Sequence, residues 1–194
     1  MSRILPRLVV LMAVLLVAAC GSPSQRLGNL SMGPSSRHPG ISCAPFAREL
    51  SGIALYGDAD GWWSAAAGRY ARGPRPVLGS VLVFGRQDRL PSGHVSVVSR
   101  LLGDRQLQVT QANWVRGQLD EDQLVVDLSE RNDWTRVRVW YPPVSQLGTH
   151  SYVTYGFIHP DRPATHDQLA RATAAAARYA LDTRGRPAPR ARGG

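Results

Sequence analysis

The spacing of apolar residues changes along this chain from helical to strand-like, and that change restricts the fold more than any other feature. Phe46, Leu50 and Ile53 recur at the spacing of one helix face, and a second helix is expected over residues 60–70. Beyond residue 79, short apolar runs bounded by Gly or Pro predict strands at 80–84, 94–101, 106–111, 134–141 and 152–158. Helices followed by an antiparallel meander predict the α+β class, with N-terminal helices packed on an antiparallel β-sheet.

The N-terminus has the pattern of an export signal. Arg3 and Arg7 precede an apolar run over residues 8–19, which is shorter than the roughly 20 residues that a membrane span requires. The run ends in Leu-Val-Ala-Ala-Cys, a sequence typical of the lipobox of bacterial lipoproteins, and this predicts a signal peptide over 1–19 and lipidation of Cys20. The alternative is ordinary signal-peptide cleavage, with Cys20 left free or in a disulfide.

The lipobox resemblance also implies a location. Gly21, and not Asp, follows the lipobox cysteine, so we expect an exported protein anchored by lipid to the membrane, on the periplasmic side of the outer membrane where the cell has one. If Cys20 carries lipid, a Cys20–Cys43 disulfide is impossible and Cys43 is a free thiol in an oxidising compartment. A free thiol there favours a reactive function for Cys43.

Composition divides the remaining chain into three parts. Residues 20–40 are rich in Ser, Gly and Pro and predict a flexible, lipidated tether, whereas residues 41–160 hold the apolar runs of one domain. Residues 161–194 predict an Ala-rich helix and an Arg/Pro/Gly-rich disordered tail. Within the domain, the acidic residues 120–122 interrupt the apolar pattern and are interpreted as a solvated loop.

Positive charge is spread in a way that does not indicate nucleic-acid binding. The net charge is +9 with no lysine, and much of it lies in the signal segment and in residues 161–194. The domain between them shows no basic stripe with interleaved aromatic residues, so no nucleic acid is expected as a partner. An anionic wall polymer or lipid surface suits an exported chain better. No feature indicates an oligomeric state.

Three residues form a candidate set for nucleophilic catalysis. Cys43 stands where a loop turns into a helix, and the unpaired N–H groups of a helix start are expected to lower the pKa of its thiol. A hairpin turning at Gly103 and Asp104 would place His94, the candidate base, opposite Asn113, which would orient its imidazole. Each has a structural alternative: a buried thiol, a core histidine and a turn residue.

Asp104 and Asp127 are weaker candidates for the orienting position. His150, His159 and His166 show no ligand spacing, so no metal and no cofactor are expected.

Several motifs agree, in order, with one known family. These are the segments CAPFAR at 43–48, GDADGWW at 57–63, GSVLVF at 79–84, GHV at 93–95, QANW at 111–114 and YGFI at 155–158. Together they resemble the CHAP family of cysteine- and histidine-dependent amidohydrolases and peptidases.

The resemblance implies a papain-like α+β fold over residues 41–160 and hydrolysis of peptidoglycan. It implies Cys43 as nucleophile, His94 as base and Asn113 as the orienting residue. Ser42 departs from the Gln or Glu often found before the cysteine, which leaves the backbone N–H of Cys43 as the available oxyanion donor. Calcium-dependent members carry acidic residues upstream of the cysteine, and residues 33–42 contain none.

The leading hypothesis is therefore a membrane-anchored cysteine hydrolase that cleaves amide or peptide bonds of peptidoglycan through a thioester acyl-enzyme. Two alternatives remain: an amidohydrolase acting on a small amide, and a non-catalytic envelope lipoprotein that binds the wall.

Overall fold

The computed structural model describes residues 30–182, and the predicted signal peptide, Cys20 and the tail beyond Asp182 lie outside them. The strands are β1 Ser35–Arg37, β2 Arg72–Gly73, β3 Val81–Phe84, β4 His94–Gly103, β5 Gln106–Ala112, β6 Gln118–Asp127, β7 Arg136–Tyr141, β8 Gln146–Leu147 and β9 Tyr152–Ile158. The helices are α1 Cys43–Ser51, α2 Trp62–Ala65 and α3 His166–Asp182, with 3-10 turns at Ala59–Gly61 and Pro142–Val144. No helix in this part of the chain is long and apolar enough to cross a membrane.

Six strands close into an antiparallel barrel. β3 pairs with β4, and the ladder continues through β5, β6 and β7 to β9, which returns to β3. β1 extends the sheet beside β6, while β2 and β8 pair with β9 and β7. The predicted papain-like α+β layout, with helices packed on a sheet, is therefore wrong: the described chain is mostly β, a closed barrel with added strands.

The error in fold class follows from β6, which the sequence pattern did not predict. The acidic residues 120–122, predicted as a loop, lie inside this ten-residue strand. Asp120 is buried, and its carboxylate accepts a hydrogen bond of 2.6 Å from the hydroxyl of Ser35 on β1. Burial raises the pKa of Asp120. Without β6 nothing joins β5 to β7, and the remaining strands describe an open meander.

The two faces of the barrel wall build two separate cores. On β3, Leu82 and Phe84 belong to the interior core together with Trp134 of the loop before β7. The alternate residues Val81 and Val83 belong to a second core on the outside of the wall. The period-two alternation of a strand thus packs one set of side chains inside the barrel and the other against the helices.

α1 is held on the outer face of β4. Its buried residues Phe46, Ala47 and Leu50 share the outer core with Val95 and Val97 of β4. Leu169 and Ala176 of α3 belong to the same core. This packing places the first residue of α1, Cys43, beside the first residues of β4, which begins with His94.

The described part of the predicted tether, residues 30–40, includes β1. Its three residues pair antiparallel with β6, with Ser35 opposite Asp120 and Arg37 opposite Gln118.

Candidate active site

Cys43 is the first residue of α1 and a half-buried free thiol. The preceding residue, Ser42, has extended backbone angles and its side chain makes no capping hydrogen bond, so the helix starts without a side-chain cap. Backbone groups of Val95, Ala44 and Cys43 itself interact with the sulfur. The Val95 contact places the thiol directly at the start of β4, next to His94.

Burial raises the pKa of the Cys43 thiol above its ordinary value, and the nearby charge of Asp58 acts in the same direction. Hydrogen bonds from the backbone of Val95, Ala44 and Cys43 lower the pKa, but burial has the larger effect. The expectation that the helix start lowers this pKa is therefore wrong in its net direction. Withdrawal from water penalises the charged thiolate more than the helix N–H groups favour it.

Alkylation should reveal the protonated resting thiol. At pH 7 we expect iodoacetamide to label Cys43 more slowly in the folded chain than in the same chain in urea, because only the thiolate reacts. The rate should rise with pH to a midpoint above the ordinary value of 9.0. Stopped-time labelling followed by mass spectrometry of the Cys43 peptide measures this. A midpoint below about pH 8 in the folded chain, lower than that of an ordinary thiol, would contradict the assignment of a neutral thiol.

His94 opens β4 and points into the mouth of the barrel. Its side chain is 3% exposed and lies edge-on to the rings of Phe84 and Trp114, with centroid distances of 5.5 and 5.0 Å. The preceding Gly93 has φ +67°, and a Cβ there would come within 2.7 Å of the backbone oxygen of Phe84 and the backbone nitrogen of Asp60. Only glycine permits this close approach, so Gly93 sets the direction from which His94 enters the site.

The imidazole of His94 is held by Gln111, a residue to which the sequence pattern assigned no function. Nε2 of His94 lies 3.0 Å from Oε1 of Gln111, and both side chains are buried. In the orientation that the Gln111 amide adopts, its oxygen faces Nε2 of His94 and can only accept, so Nε2 carries the proton of the neutral ring and Nδ1 is left as the acceptor. Nδ1 is therefore the atom able to take a proton from a nucleophile.

The strand register explains why Gln111 reaches His94. β4 and β5 pair with Val97 opposite Thr110, so continuing this register puts position 94 opposite position 113, as the sequence predicts. β5 ends at Ala112, however, and Gln111 on the diagonal shares the face of His94. The long side chain of Gln111 closes the diagonal gap. The signal was present in the QANW segment, where Gln111 stands two residues before Asn113 and therefore on the same face.

Asn113 occupies the turn after β5. Its φ of +62° takes its backbone out of the extended conformation, and its side-chain oxygen accepts a hydrogen bond of 2.9 Å from the N–H of Gly117. The structure thus brings Cys43 and His94 to one place and gives His94 the amide of Gln111 as its hydrogen-bond partner, while the Asn113 oxygen stabilises the β5–β6 turn.

The weaker candidates for the orienting position lie elsewhere. Asp104 is in the turn between β4 and β5, and Asp127 ends β6, at the end of the barrel away from His94. The carboxylate of Asp127 accepts hydrogen bonds from Ser129 and pairs with Arg105. Within residues 30–182, no group of three or more His, Cys, Asp or Glu side chains could hold a metal ion.

Burial lowers the pKa of His94 from 6.5 to about 4, against a smaller raising effect of the Gln111 hydrogen bond. The imidazole is therefore neutral at pH 7, as is the thiol beside it. A site of this kind starts from a neutral pair, and the proton moves from sulfur to imidazole as the nucleophile attacks.

The lowered pKa of His94 predicts that the stability of the fold depends on pH. The unfolded chain protonates this histidine near its ordinary value of 6.5 while the folded chain stays neutral down to about pH 4. Between those values the unfolded state binds more protons, so the free energy of unfolding falls as the pH falls, by up to about 3 kcal/mol near pH 4. Urea unfolding of wild type and His94→Gln across this pH range isolates this histidine, because the buried carboxylates are common to both. A difference in unfolding free energy between the two proteins that does not change with pH would refute this prediction.

Two cavities flank the β5–β6 turn beside the site. One, of about 450 Å³, lies between β1 and this turn and is lined by residues that include Arg37, Ile41, Asn113 and Arg116. The other, of about 400 Å³, opens at the mouth of the barrel and is lined by residues that include Trp114, Tyr141, Leu147, His150 and Tyr152. Trp114 separates the second cavity from His94, since its ring contacts both His94 and Tyr152.

A thiol at a helix start beside a buried, amide-oriented histidine has the components of a cysteine hydrolase. The CHAP domain family model matches residues 33–113, a range that contains Cys43, His94, Gln111 and Asn113. This match confirms the resemblance to the CHAP family that the motifs indicate. CHAP domains are associated with amidase and peptidase hydrolysis of peptidoglycan, which sets the general class of activity. A comparison with curated proteins gives no match.

Proposed function

We propose that this protein is a cysteine amidase or peptidase that cleaves amide bonds of peptidoglycan, with Cys43 as nucleophile and His94 as base. The observation that carries the proposal is the buried hydrogen bond between His94 and Gln111, at 3.0 Å, beside the half-buried thiol of Cys43. This bond leaves Nδ1 of His94 unprotonated, and the backbone of the adjacent residue, Val95, contacts the Cys43 sulfur.

The chemistry follows from these protonation states. Nδ1 of His94 takes the thiol proton as the Cys43 sulfur attacks the carbonyl carbon of the amide. The backbone N–H of Cys43 at the start of α1 stabilises the negative oxygen that forms. The C–N bond breaks, the amine leaves with the proton from His94, and a thioester links the acyl group to Cys43. Water, deprotonated by His94, then attacks the thioester, releasing the acid and restoring the thiol.

Digestion of purified sacculi tests the proposal. The full chain should release soluble muropeptides, and their masses should show one bond type gaining water. Cys43→Ala serves as the matched control because it removes only the sulfur. If the protein cleaves small amides but leaves sacculi undigested, an amidohydrolase of small substrates is favoured. If it sediments with sacculi and releases no muropeptides, a wall-binding lipoprotein is favoured.

We propose further that the protein is anchored in the membrane by lipid on Cys20, as its lipobox indicates. The expected location is the periplasmic side of the outer membrane in a cell with two membranes, so that the domain faces the wall. Cys20→Ser should abolish incorporation of labelled palmitate and leave the chain soluble or unprocessed. Detergent phase partition and mass spectrometry of the N-terminus measure this. A wild-type chain that incorporates no palmitate would contradict the anchor.

A further inference from the structure

The cavity between β1 and the β5–β6 turn holds two arginines that have no side-chain partner among residues 30–182. Arg37 ends β1 opposite Gln118 of β6, and the next residue, His38, donates its N–H to the carbonyl of Gly117 at 2.8 Å. Arg116 immediately precedes Gly117, so this pairing brings both arginines to one cavity. Within the described chain neither guanidinium forms a hydrogen bond or ion pair with another residue, and no acidic side chain lines the cavity.

Several other arginines of the domain form ion pairs. Arg86 pairs with Asp60, Arg100 with Asp122, and Arg105 with Asp127. Two guanidinium groups beside one cavity leave positive charge without compensation from the described residues, and the N–H donors on each present a fork that matches carboxylate or phosphate. Asn113 also lines this cavity. Its oxygen is used by Gly117, so its NH₂ group is an additional donor.

The cavity lies close to the nucleophile. Ile41 in its wall is two residues before Cys43, so their Cα atoms are at most about 7.6 Å apart. An extended peptide advances about 3.4 Å per residue, and a substrate group in the cavity would therefore lie about two or three residues from the bond under attack. A site that binds a group of the substrate must lie near the nucleophile, whereas a site for free phosphate does not have to.

We infer that this cavity is a substrate subsite in which Arg37 and Arg116 bind a free carboxylate of the peptidoglycan stem peptide. The inference rests on the proposed function and adds to it the part of the substrate that is recognised. Each charge-assisted contact contributes binding on a scale that corresponds to roughly 10-fold or more in affinity. Amidation of the recognised carboxylate should remove this contribution, because a neutral amide does not neutralise the two guanidinium groups.

The test measures binding separately from turnover. Full-length Cys43→Ala is titrated calorimetrically with a synthetic stem peptide and with the same peptide in which each carboxylate is amidated in turn. One amidation should weaken binding about 10-fold or more. Arg37→Gln and Arg116→Gln in the Cys43→Ala background should lose that discrimination, while Arg131→Gln, an exposed arginine paired with Asp133 in a distant loop, should keep it. With Cys43 intact, the same arginine changes should raise KM for the free-carboxylate peptide and leave kcat unchanged.

The outcomes separate the two claims. If the Arg37 and Arg116 variants distinguish the free from the amidated peptide as well as Arg131→Gln does, the subsite is overturned. If the protein with Cys43 intact still hydrolyses the peptide in that case, the proposed hydrolase activity stands. Discrimination that depends on Arg37 and Arg116, without hydrolysis when Cys43 is present, would support the subsite and overturn the enzyme. Inorganic phosphate is added as a competitor in a further titration: displacement of the peptide at comparable phosphate concentrations would identify a general anion site and overturn the assignment to a substrate carboxylate.

Discussion

Replacement of Cys43 by alanine should reduce hydrolysis of sacculi to background while the fold is retained. The side chain is half-buried at the first position of α1, and alanine is fully compatible with a helix. The substitution removes the sulfur that would form the thioester in the proposed mechanism, so no hydrolysis by that route should remain. Circular dichroism and thermal unfolding should change little, because the outer core is formed by Phe46, Ala47 and Leu50 of the same helix.

His94 should be as important as Cys43. His94→Gln keeps a polar side chain of similar length in the aromatic surroundings of Phe84 and Trp114, which makes it a better test than a cavity-forming alanine. It removes the base and should lower the rate about as far as Cys43→Ala. In the proposed mechanism Cys43 and His94 act as one unit, so the double variant should be no less active than either single variant. A Cys43→Ala protein that still releases muropeptides at the wild-type rate would end the cysteine mechanism.

Gln111 should have the next largest effect. Gln111→Leu has nearly the same volume but no acceptor for Nε2 of His94, so the ring loses both its orientation and its preferred tautomer. We expect kcat to fall roughly 10- to 1,000-fold with KM little changed, the size of effect that a supporting group has. Gln111→Glu restores an acceptor and adds a negative charge, which raises the pKa of His94 from about 4. Activity should therefore return, with its acidic limit moved to higher pH.

Asn113→Gly is the matched control for Gln111. Glycine accepts the φ of +62° at this position and removes the amide that the motif pattern assigned to His94. It also removes the hydrogen bond to Gly117, so a modest loss of stability is expected. Its effect on kcat should be smaller than that of Gln111→Leu. The reverse order would restore Asn113 as the orienting residue and make the Gln111 contact structural. Initial rates on one defined muropeptide compare all of these variants directly.

Local patterns were sufficient for much of the chain. Alternation and turn residues predicted β3, β4, β5, β7 and β9 close to their observed bounds, because each of these strands has a regular apolar face. β6 was missed because Asp120, Glu121 and Asp122 break that regularity. Asp120 is buried, and its hydrogen-bond partner, Ser35 on β1, lies far away in the sequence, so a short window of sequence does not contain it.

The same distinction applies to the site. The motif pattern led to Cys43 and His94 and to the CHAP family, since these residues stand at fixed places next to a helix start and a glycine. The choice of Gln111 over Asn113 as the partner of His94 depended on where β5 leaves the sheet. That point is set by the left-handed backbone at position 113, a property of the folded turn that strand alternation does not report.

The sequence by itself determined the family, the candidate nucleophile and base, and most of the strands that hold them. Tertiary structure decided that the strands close into a barrel, because closure requires β6 and the pairing of β3 with β9, two strands that lie far apart in the sequence. It also decided the protonation of the site. A helix start lowers the pKa of a thiol locally, but packing of α1 on β4 withdraws Cys43 and His94 from water, and the cost of charging a group away from water outweighs the stabilisation by the helix N–H groups.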